Sequence, residues 1–281
     1  MSKQTIFFIL LAVVVAGAAA FWFYREGTFS KEILRLEILG FDTAKVGDEI
    51  EYTIKYKNNG NFVLEQPKLI FELPENSLTE DSKTLITQNL KDIYPGDEEF
   101  VKIKARFLGK EGDLKVAKAN LSYIPKNITA RYESNTTFTT KIETVPLTLD
   151  FDLPSKAEKG KEIQYSINYF SNVDYPLENL SIKIDPVNGF TFETSNPSSL
   201  DNSEWKLKTL NKAQGGRINI KGRITADAGA HLNFTAKLGM RIAGSFVEIK
   251  NANIEVEVIE PLLFISQQIN GSANYVASPG E

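Results

Sequence analysis

The sequence predicts an all-β protein in which an N-terminal transmembrane helix precedes tandem antiparallel β-sandwich domains. Three observations predict this fold class. Apolar and polar residues alternate along many short segments, which is typical of half-buried strands. One such segment recurs 113 residues further along the chain, and residues 5–24 carry no charge.

Composition restricts the functional classes. The chain has 281 residues, of which 42% are hydrophobic and 11% aromatic, enough for packed cores in about two domains. The formal charge of -4 includes no basic excess, so we expect no nucleic-acid partner. Cysteine is absent, which excludes disulfides, thiolate nucleophiles and thiolate metal ligands. This composition fits an exported protein whose domains are large enough to be stabilised by apolar burial.

Residues 5–24 are predicted to form a transmembrane anchor in contact with membrane lipid. Twenty residues at a helical rise of about 1.5 Å span about 30 Å, the thickness of a bilayer core. Lys3 and Arg25 flank this span. The aromatic rings of residues 21–24 suit the membrane boundary.

Two other interpretations of the N-terminus stay open. The small residues at 16–20 match the processing site of a cleaved signal peptide, and a type IV pilin is a weaker alternative. A retained anchor is favoured because a cleaved apolar region is typically shorter and lacks four following aromatics. Long domains translocate largely regardless of flanking charge. We therefore expect a single-pass cell membrane protein, with residues 1–4 as a short cytoplasmic tail, 25–33 as a spacer and the repeats extracellular.

Two units share one pattern. Ile50, Tyr52, Ile54 and Tyr56 alternate with polar residues, and the same alternation returns at an offset of 113. Later strands keep an offset of 117, so the second unit has a net insertion of four residues, which we place between 186 and 210. The predicted domains are a sandwich at 34–145 and a second sandwich at 146–260. The second alternating set comprises Ile163, Tyr165, Ile167 and Tyr169.

Further strands and turns follow from alternation and from turn residues. Gly215 and Gly216 are interpreted as a hairpin turn, and so is the segment 109–112. The further strands predicted in the first unit are 68–73, 99–107, 113–123 and 137–144. The predicted turns between them are 74–76, 95–97, 109–112 and 132–135.

The predicted linkers are short and contain proline. Residues 143–146 join the two units, and 259–261 join the second unit to residues 261–281, which repeat the opening strand. Proline fixes φ, so such junctions favour a semi-rigid rod. Residues 261–281 are expected to be the start of a truncated third repeat and to pack poorly.

These residues resemble a known class. The segments 47–48, 58–61, 71–74 and 94–97 follow the asparagine-glycine-asparagine, leucine-proline and proline-glycine progression of tandem Ig-like repeats in prokaryotic surface proteins. That class includes the cell-adhesion-related bacterial domain, CARDB, and related conserved repeats. The second unit departs from the pattern at 171–174 and 184–186. The resemblance implies an Ig-like fold, a place in the cell envelope, and a structural or adhesive role without catalytic residues.

The sequence predicts no enzyme, no cofactor and no metal site. His231 is the single histidine, and no serine-nucleophile or phosphate-loop motif occurs. Calcium at the domain junction deserves consideration because Ig-like arrays often bind it there. However, Glu143, Asp150, Asp152 and Glu158 lack the dense ladder of oxygen ligands that calcium needs, and we interpret them as solvated.

Aromatic residues and sequons are the remaining candidates for recognition. The tyrosines of the two alternating strands are in phase with isoleucines and are predicted to fill the cores. Phe62, Phe170 and Tyr175 flank turns, where they could be exposed contacts or could pack at a domain junction. Six Asn-x-Ser/Thr sequons are only a modest excess over chance, and lie at Asn120, Asn127, Asn135, Asn179, Asn233 and Asn270.

The function expected from these patterns is a membrane-anchored cell-surface protein with a stalk of tandem sandwiches in a structural or adhesive role. The alternative is an extracellular recognition module that binds carbohydrate or peptide through loops at the end of a sandwich. The expected partner is a surface glycan or a protein.

Overall fold

A computed structural model describes residues 14–15, 33–79, 83–242 and 244–260. Apart from Val14 and Val15, the predicted anchor at 5–24 lies outside the described residues, and so does the predicted third repeat at 261–281. The described residues include no helix long and apolar enough to cross a membrane. They form an all-β structure with several sheets.

The first half of the described chain forms a sandwich of two sheets, which we call the first sandwich. Its four-stranded sheet has the order β1-β3-β7-β5, and its five-stranded sheet has the order β2-β9-β8-β4-β6. The strands are β1 (Leu34–Leu39), β2 (Thr43–Lys45), β3 (Glu49–Asn58), β4 (Leu64–Glu72), β5 (Ser77–Leu78), β6 (Leu85–Asn89), β7 (Glu98–Phe107), β8 (Leu114–Pro125) and β9 (Tyr132–Thr144).

The second half, which we call the second sandwich, has the same strand order. Its sheets run β10-β12-β16-β14 and β11-β18-β17-β13-β15. The strands are β10 (Leu147–Asp152), β11 (Lys156–Glu158), β12 (Glu162–Ser171), β13 (Leu180–Ile184), β14 (Phe190–Asn196), β15 (Glu204–Lys206), β16 (Gln214–Ile224), β17 (His231–Ile242) and β18 (Ser245–Ile259).

Alternation along the strands produces the cores. In β3, Ile50, Tyr52, Ile54 and Tyr56 are buried, whereas the residues between them are partly exposed. They pack with apolar residues of β1 and β7 from their own sheet and with β4 and β8 from the facing sheet. The outer faces hold ion pairs such as that between Lys102 and Glu51, whose Nζ and Oε1 atoms are 2.7 Å apart. The period-two pattern therefore separates an apolar interior from a charged surface.

The sheets are not wholly antiparallel, which corrects the prediction. β2 pairs in parallel with β9, and β11 pairs in parallel with β18. In each case the opening strand of the sandwich ends, and the chain crosses to the facing sheet without reversing. At this crossing in the first sandwich a Cβ on Gly40 would lie 3.1 Å from ring atoms of both Tyr52 and Phe138. The crossing thus depends on a close approach of backbone to core.

Two predicted turns are wrong. Residues 132–135 belong to β9, where Glu133 and Asn135 pair with β8. The turn lies earlier, where Asn127 adopts a φ of 68°. Gly215 and Gly216 belong to β16, opposite Phe170 and Tyr169. They are glycines because a Cβ on Gly215 would lie 2.3 Å from the carbonyl oxygen of Tyr169. The turn at 109–112 is present, but it joins β7 to β8 of the other sheet and is not a hairpin.

Candidate functional site

The junction between the two sandwiches is the most developed site in the described chain. β9 ends at Thr144 and β10 begins at Leu147, so only Val145 and Pro146 connect them. Val145 is buried, and the carbonyl oxygen of Pro146 accepts a hydrogen bond of 2.9 Å from the backbone N–H of Asn172. The short linker is therefore fixed to the second sandwich by packing and by a hydrogen bond.

Three apolar residues of the first sandwich form the near side of this junction. Val46, Leu108 and Ile142 are 1%, 0% and 0% exposed, and they pack into the core of the second sandwich instead of the core of the first. Burial of three such side chains stabilises the junction by roughly 1.5–3 kcal/mol each relative to exposure. The junction is thus a continuation of a protein core and not a solvated contact.

The turn after β12 supplies the far side. Ser171 is buried, and its hydroxyl oxygen accepts a hydrogen bond of 3.2 Å from the N–H of Val173. The turn presents Val173 and Tyr175 to the first sandwich. Gly47 approaches this turn so closely that a Cβ there would lie 2.3 Å from Cγ1 of Val173. Its φ of 88° also favours glycine.

Arg106 connects the two sides. Its guanidinium carbon lies 4.7 Å from the ring centroid of Tyr175, within the range of a cation–π interaction. The same guanidinium donates to the carbonyl oxygen of Gly47 at 2.9 Å and to Oε2 of Glu49 at 3.0 Å. A hydrogen bond from Lys104 lowers the pKa of the Glu49 carboxyl. Glu49 therefore stays ionised and holds the guanidinium over the ring.

A second polar contact lies elsewhere on the junction. The Nζ atom of Lys110, in the turn after β7, lies 3.7 Å from Oε1 of Glu248 in β18. Glu248 also accepts a hydrogen bond of 2.8 Å from Asn251. Because Lys110 is exposed, this ion pair contributes little energy, typically below about 1 kcal/mol. Its contribution is a second point of contact, which restricts rotation about the linker.

The structure brings only one of the three turn aromatics into the junction. Tyr175 packs there, whereas Phe62 is half-buried at the opposite end of the first sandwich and Phe170 is 44% exposed. Sequence reasoning missed the buried residues of the near side. A signal existed in the offsets, because Val46 and Leu108 correspond to Lys159 and Thr225 in the second unit. An apolar residue whose equivalent in the other repeat is polar indicates a contact surface that only one of the two repeats has.

The tyrosines of the alternating strands fill the cores, as predicted. Tyr52, Tyr56 and Tyr165 are buried and Tyr169 is half-buried. Burial raises the pKa of all four phenols. Tyr52 still lies 3.5 Å from the hydroxyl of Thr140, but the buried Tyr165 hydroxyl has no hydrogen-bond partner within the described chain. These tyrosines are therefore unavailable as a platform for sugars.

The candidate carboxylates are dispersed. Asp150 accepts a hydrogen bond of 3.0 Å from Asn168, Asp152 lies 3.6 Å from Arg217, and Glu158 lies 3.9 Å from Lys161. The described residues hold no group of three or more His, Asp or Glu side chains that could bind a metal ion. His231 opens β17, with Nδ1 2.8 Å from Oε1 of the exposed Glu255.

Comparisons with known proteins leave the family open. No protein-family model matches the chain, and no curated protein matches it. Similar solved structures include red sea bream transglutaminase, with a TM-score of 0.38, 11% identity, and 81% of this chain and 32% of that chain covered. Escherichia coli alpha-2-macroglobulin has a TM-score of 0.34 and 10% identity, with 81% and 17% covered. This chain therefore spans about a third of the transglutaminase and about a sixth of the macroglobulin.

A CARDB domain is also among the similar structures. The domain is from a Pyrococcus furiosus protein, in complex with two metal ions, and has a TM-score of 0.29 and 18% identity, with 40% of this chain and 92% of that chain covered. TM-scores of this size carry no argument about family or function. The Ig-like sandwich therefore rests on the strand order described above, and CARDB membership stays a prediction.

Proposed function

We propose that this protein is a membrane-anchored cell-surface protein in which the two sandwiches form one rigid spacer with a structural or adhesive role. The single observation that supports this proposal most is the buried junction. Two domains that only had to be tethered would need no shared core, because a flexible linker suffices. Here the first sandwich packs three of its apolar side chains into the core of the second sandwich, and this packing fixes the relative orientation of the two. The side chains are those of Val46, Leu108 and Ile142.

The membrane part of the proposal rests on the sequence. Residues 5–24 supply the uncharged span, with residues 1–4 on the cytoplasmic side and the sandwiches outside. The absence of cysteine and the charged outer faces suit a protein exposed to solvent without disulfides. A non-catalytic role is part of the proposal. The alternative is recognition of a ligand through loops at the end of a sandwich. Tyr175 is no longer a candidate contact residue for such a ligand, because it packs at the junction.

Two experiments test the two parts separately. For localisation, intact cells are treated with external protease; we expect the sandwiches to be digested without lysis. Digestion only after lysis would contradict surface exposure, and release of the protein by a carbonate wash would contradict the anchor.

For rigidity, spin labels are attached at Thr137→Cys and Thr194→Cys, which are exposed on different sandwiches. Labelling is specific because the chain has no cysteine. We expect a narrow distance distribution that broadens in Val173→Asp, which places a charge in the junction. Tyr94→Asp is the control, since Tyr94 is 58% exposed in the turn before β7 that bonds to Asn58, at the end of β3 opposite to the junction. A broad distribution in the unmodified junction would contradict a rigid spacer.

A further inference from the structure

The outer face of one sheet in the second sandwich forms a polar groove. The sheet is β10-β12-β16-β14, and the groove has a volume of about 400 Å³, within the range of small-ligand sites. Asp152, Ser166, Asn219 and Asn196 lie next to one another across its four strands. Ser166 is small, lies on a central strand and is 8% exposed, so it forms the floor. In the described chain, the lining comes only from the second sandwich.

A β-bulge in β14 shapes one wall of the groove. The register of β14 against β16 skips Glu193, and a bulge of this kind redirects the side chains that follow it. Thr194 and Asn196 therefore lie opposite outward-facing residues of β16 and line the groove. Between them Ser195 points inward, where its hydroxyl accepts a hydrogen bond of 3.0 Å from the indole N–H of the buried Trp205. The wall is thus held in place from the core.

Two amide side chains in the groove have hydrogen-bonding groups that the protein does not use. The hydroxyl of Ser166 donates to Oδ1 of Asn219 at 2.9 Å, and Nδ2 of Asn219 has no acceptor among the described residues. Gln164, the neighbouring outward residue of β12, is exposed, and its amide bonds to no other part of the described chain. An amide offers both donors and an acceptor. The groove therefore presents free donors and acceptors side by side.

The first sandwich has an ion pair where the groove has these amides. Gln164 corresponds to Glu51 at the offset of 113, and Asn219 corresponds to Lys102 at the offset of 117. The Nζ atom of Lys102 lies 2.7 Å from Oε1 of Glu51. Solubility alone does not explain the exchange, because an ion pair suits a solvated face at least as well. The second sandwich has thus replaced a closed pair of charges by two neutral groups that can bind a ligand.

The charges that remain around the groove are paired. Oδ2 of Asp152 lies 3.6 Å from the guanidinium of Arg217, and Nζ of Lys221 lies 2.8 Å from Oε2 of Glu162. A site for an anion would offer it charge-assisted hydrogen bonds from a cation without such a partner. The groove therefore favours a neutral ligand that is rich in hydrogen-bonding groups.

Apolar surface lies on the same face as these polar groups. Pro154 lines one end of the groove. Phe170 is 44% exposed and lies on the same side of β12 as Ser166, four residues further along, or about 13 Å at the rise of a strand. A Cβ on Gly215 would lie 3.0 Å from Cδ2 of Phe170, so the glycine leaves room for the ring. Sugars combine hydroxyl groups, which donate and accept, with C–H faces that pack on such rings.

We propose that this face of the second sandwich binds a neutral oligosaccharide. The amides of Gln164 and Asn219 bond to adjacent hydroxyl groups of one sugar ring, which lies over Ser166 with its edge against Pro154. Further sugar units extend along β12 to Phe170. The site lies on the face of a sheet and does not use the loops at the ends of a sandwich. It depends neither on the anchor nor on the junction, so its failure would leave the proposed function standing.

The test uses the purified full chain in a detergent without a sugar headgroup. Saturation-transfer NMR is recorded with a panel of neutral tetrasaccharides built from glucose, mannose, galactose, xylose or N-acetylglucosamine. We expect transfer to at least one of them, and isothermal titration calorimetry then gives its Kd. Absence of transfer to every member of the panel would overturn the proposal. Binding of sulfated or sialylated glycans alone would overturn the assignment to a neutral ligand.

An exchange of side chains between the repeats locates the site. Gln164→Glu combined with Asn219→Lys places the ion pair of the first sandwich in the groove. This variant should raise the Kd of the bound tetrasaccharide at least about tenfold, because both amides are lost. The matched control is the reverse exchange, Glu51→Gln with Lys102→Asn, which should leave the Kd within about twofold. An unchanged Kd in the groove variant would show that the ligand binds elsewhere and would overturn the site.

Two single substitutions complete the test. Circular dichroism verifies that the double variant is folded; if it is not, Gln164→Ala takes its place, since this exposed side chain can be removed without loss of packing. That variant should raise the Kd about threefold to tenfold, as expected for one hydrogen bond. Phe170→Ala should weaken binding of the tetrasaccharide more than binding of the corresponding disaccharide. Equal effects on the two ligands would overturn the extension of the site along β12.

Discussion

Gly47→Ala tests whether the junction is packed as described. Gly47 adopts a φ of 88° and a Cβ there would lie 2.3 Å from Cγ1 of Val173. Gly160, its equivalent 113 residues later, adopts a φ of 74° but has nothing within 4 Å of its Cβ position. Alanine is therefore strained at both positions, and only the Gly47 variant also meets the facing sandwich.

The two contributions can be separated by magnitude. An L-residue in the left-handed region costs about 1–2 kcal/mol, which applies to both variants. At Gly47 the contact must also lengthen by about an ångström to reach ordinary van der Waals distance, and overpacking of a core typically costs about 1–3 kcal/mol more. We expect Gly47→Ala to lower the free energy of unfolding by about 2–5 kcal/mol and Gly160→Ala by about 1–2 kcal/mol.

A double-mutant cycle isolates the contact. Val173→Ala removes two methyl groups and costs about 1.6 kcal/mol by itself. In that background Gly47→Ala should cost only the backbone strain, so the coupling free energy should be about 1–3 kcal/mol. Chemical denaturation followed by circular dichroism provides these free energies, and the spin-label distance reports any separation of the sandwiches. Equal losses for Gly47→Ala and Gly160→Ala, or a coupling below about 0.5 kcal/mol, would refute the packed junction.

Three further predictions concern buried polar groups and the junction arginine. Burial raises the pKa of Tyr165, so as pH rises above about 10 the unfolded chain loses the phenol proton first and the free energy of unfolding falls. Tyr165→Phe should reduce this fall in a series of denaturation experiments at alkaline pH. At neutral pH the substitution should cost less than about 1 kcal/mol. Burial lowers the pKa of Lys115, so the free energy of unfolding should rise with pH until the ordinary lysine pKa is reached. Lys115→Met should abolish that rise and should leave the free energy of unfolding unchanged or higher. A large loss of stability in this variant at neutral pH would contradict the reasoning. Arg106→Ala should broaden the spin-label distances and cost about 1–2 kcal/mol, whereas its equivalent Arg223→Ala should leave the distances unchanged.

Much of the fold follows from local physics and could be predicted. The alternation at Ile50, Tyr52, Ile54 and Tyr56 specifies which face of β3 is buried, because a strand places successive side chains on opposite faces. The constant offsets locate equivalent strands in the second sandwich. Strand ends were less accurate where turn residues were interpreted without their tertiary context. The sequence predicts a turn at Asn135, whereas in the structure Asn120, its neighbour across the sheet, donates a hydrogen bond of 2.6 Å to it.

The site could not be predicted because it depends on how two remote segments meet. Val173 looks like a departure from an asparagine-glycine turn, and only the position of Gly47 shows that this residue packs on the first sandwich. In the same way, β5 has two residues in the described chain where its equivalent β14 has seven. A pattern of alternating residues does not indicate how much of a short segment joins a sheet.

Comparison of the two sandwiches shows why the junction belongs to this pair of domains and not to the repeat as such. The far end of the second sandwich keeps the arginine contact, since Arg223 donates to the carbonyl oxygen of Gly160 at 3.1 Å. It lacks two of the three apolar residues, because Lys159 replaces Val46 and Thr225 replaces Leu108, whereas Val258 stands at the position of Ile142. Lys159 pairs with Asp227 at 2.5 Å. A sandwich packed on this end in the manner of the first junction would bury that ion pair, and desolvation of two charges costs several kcal/mol. The packed junction is therefore encoded in side chains that differ between the repeats, while the shared backbone motif encodes only the shape of each sandwich.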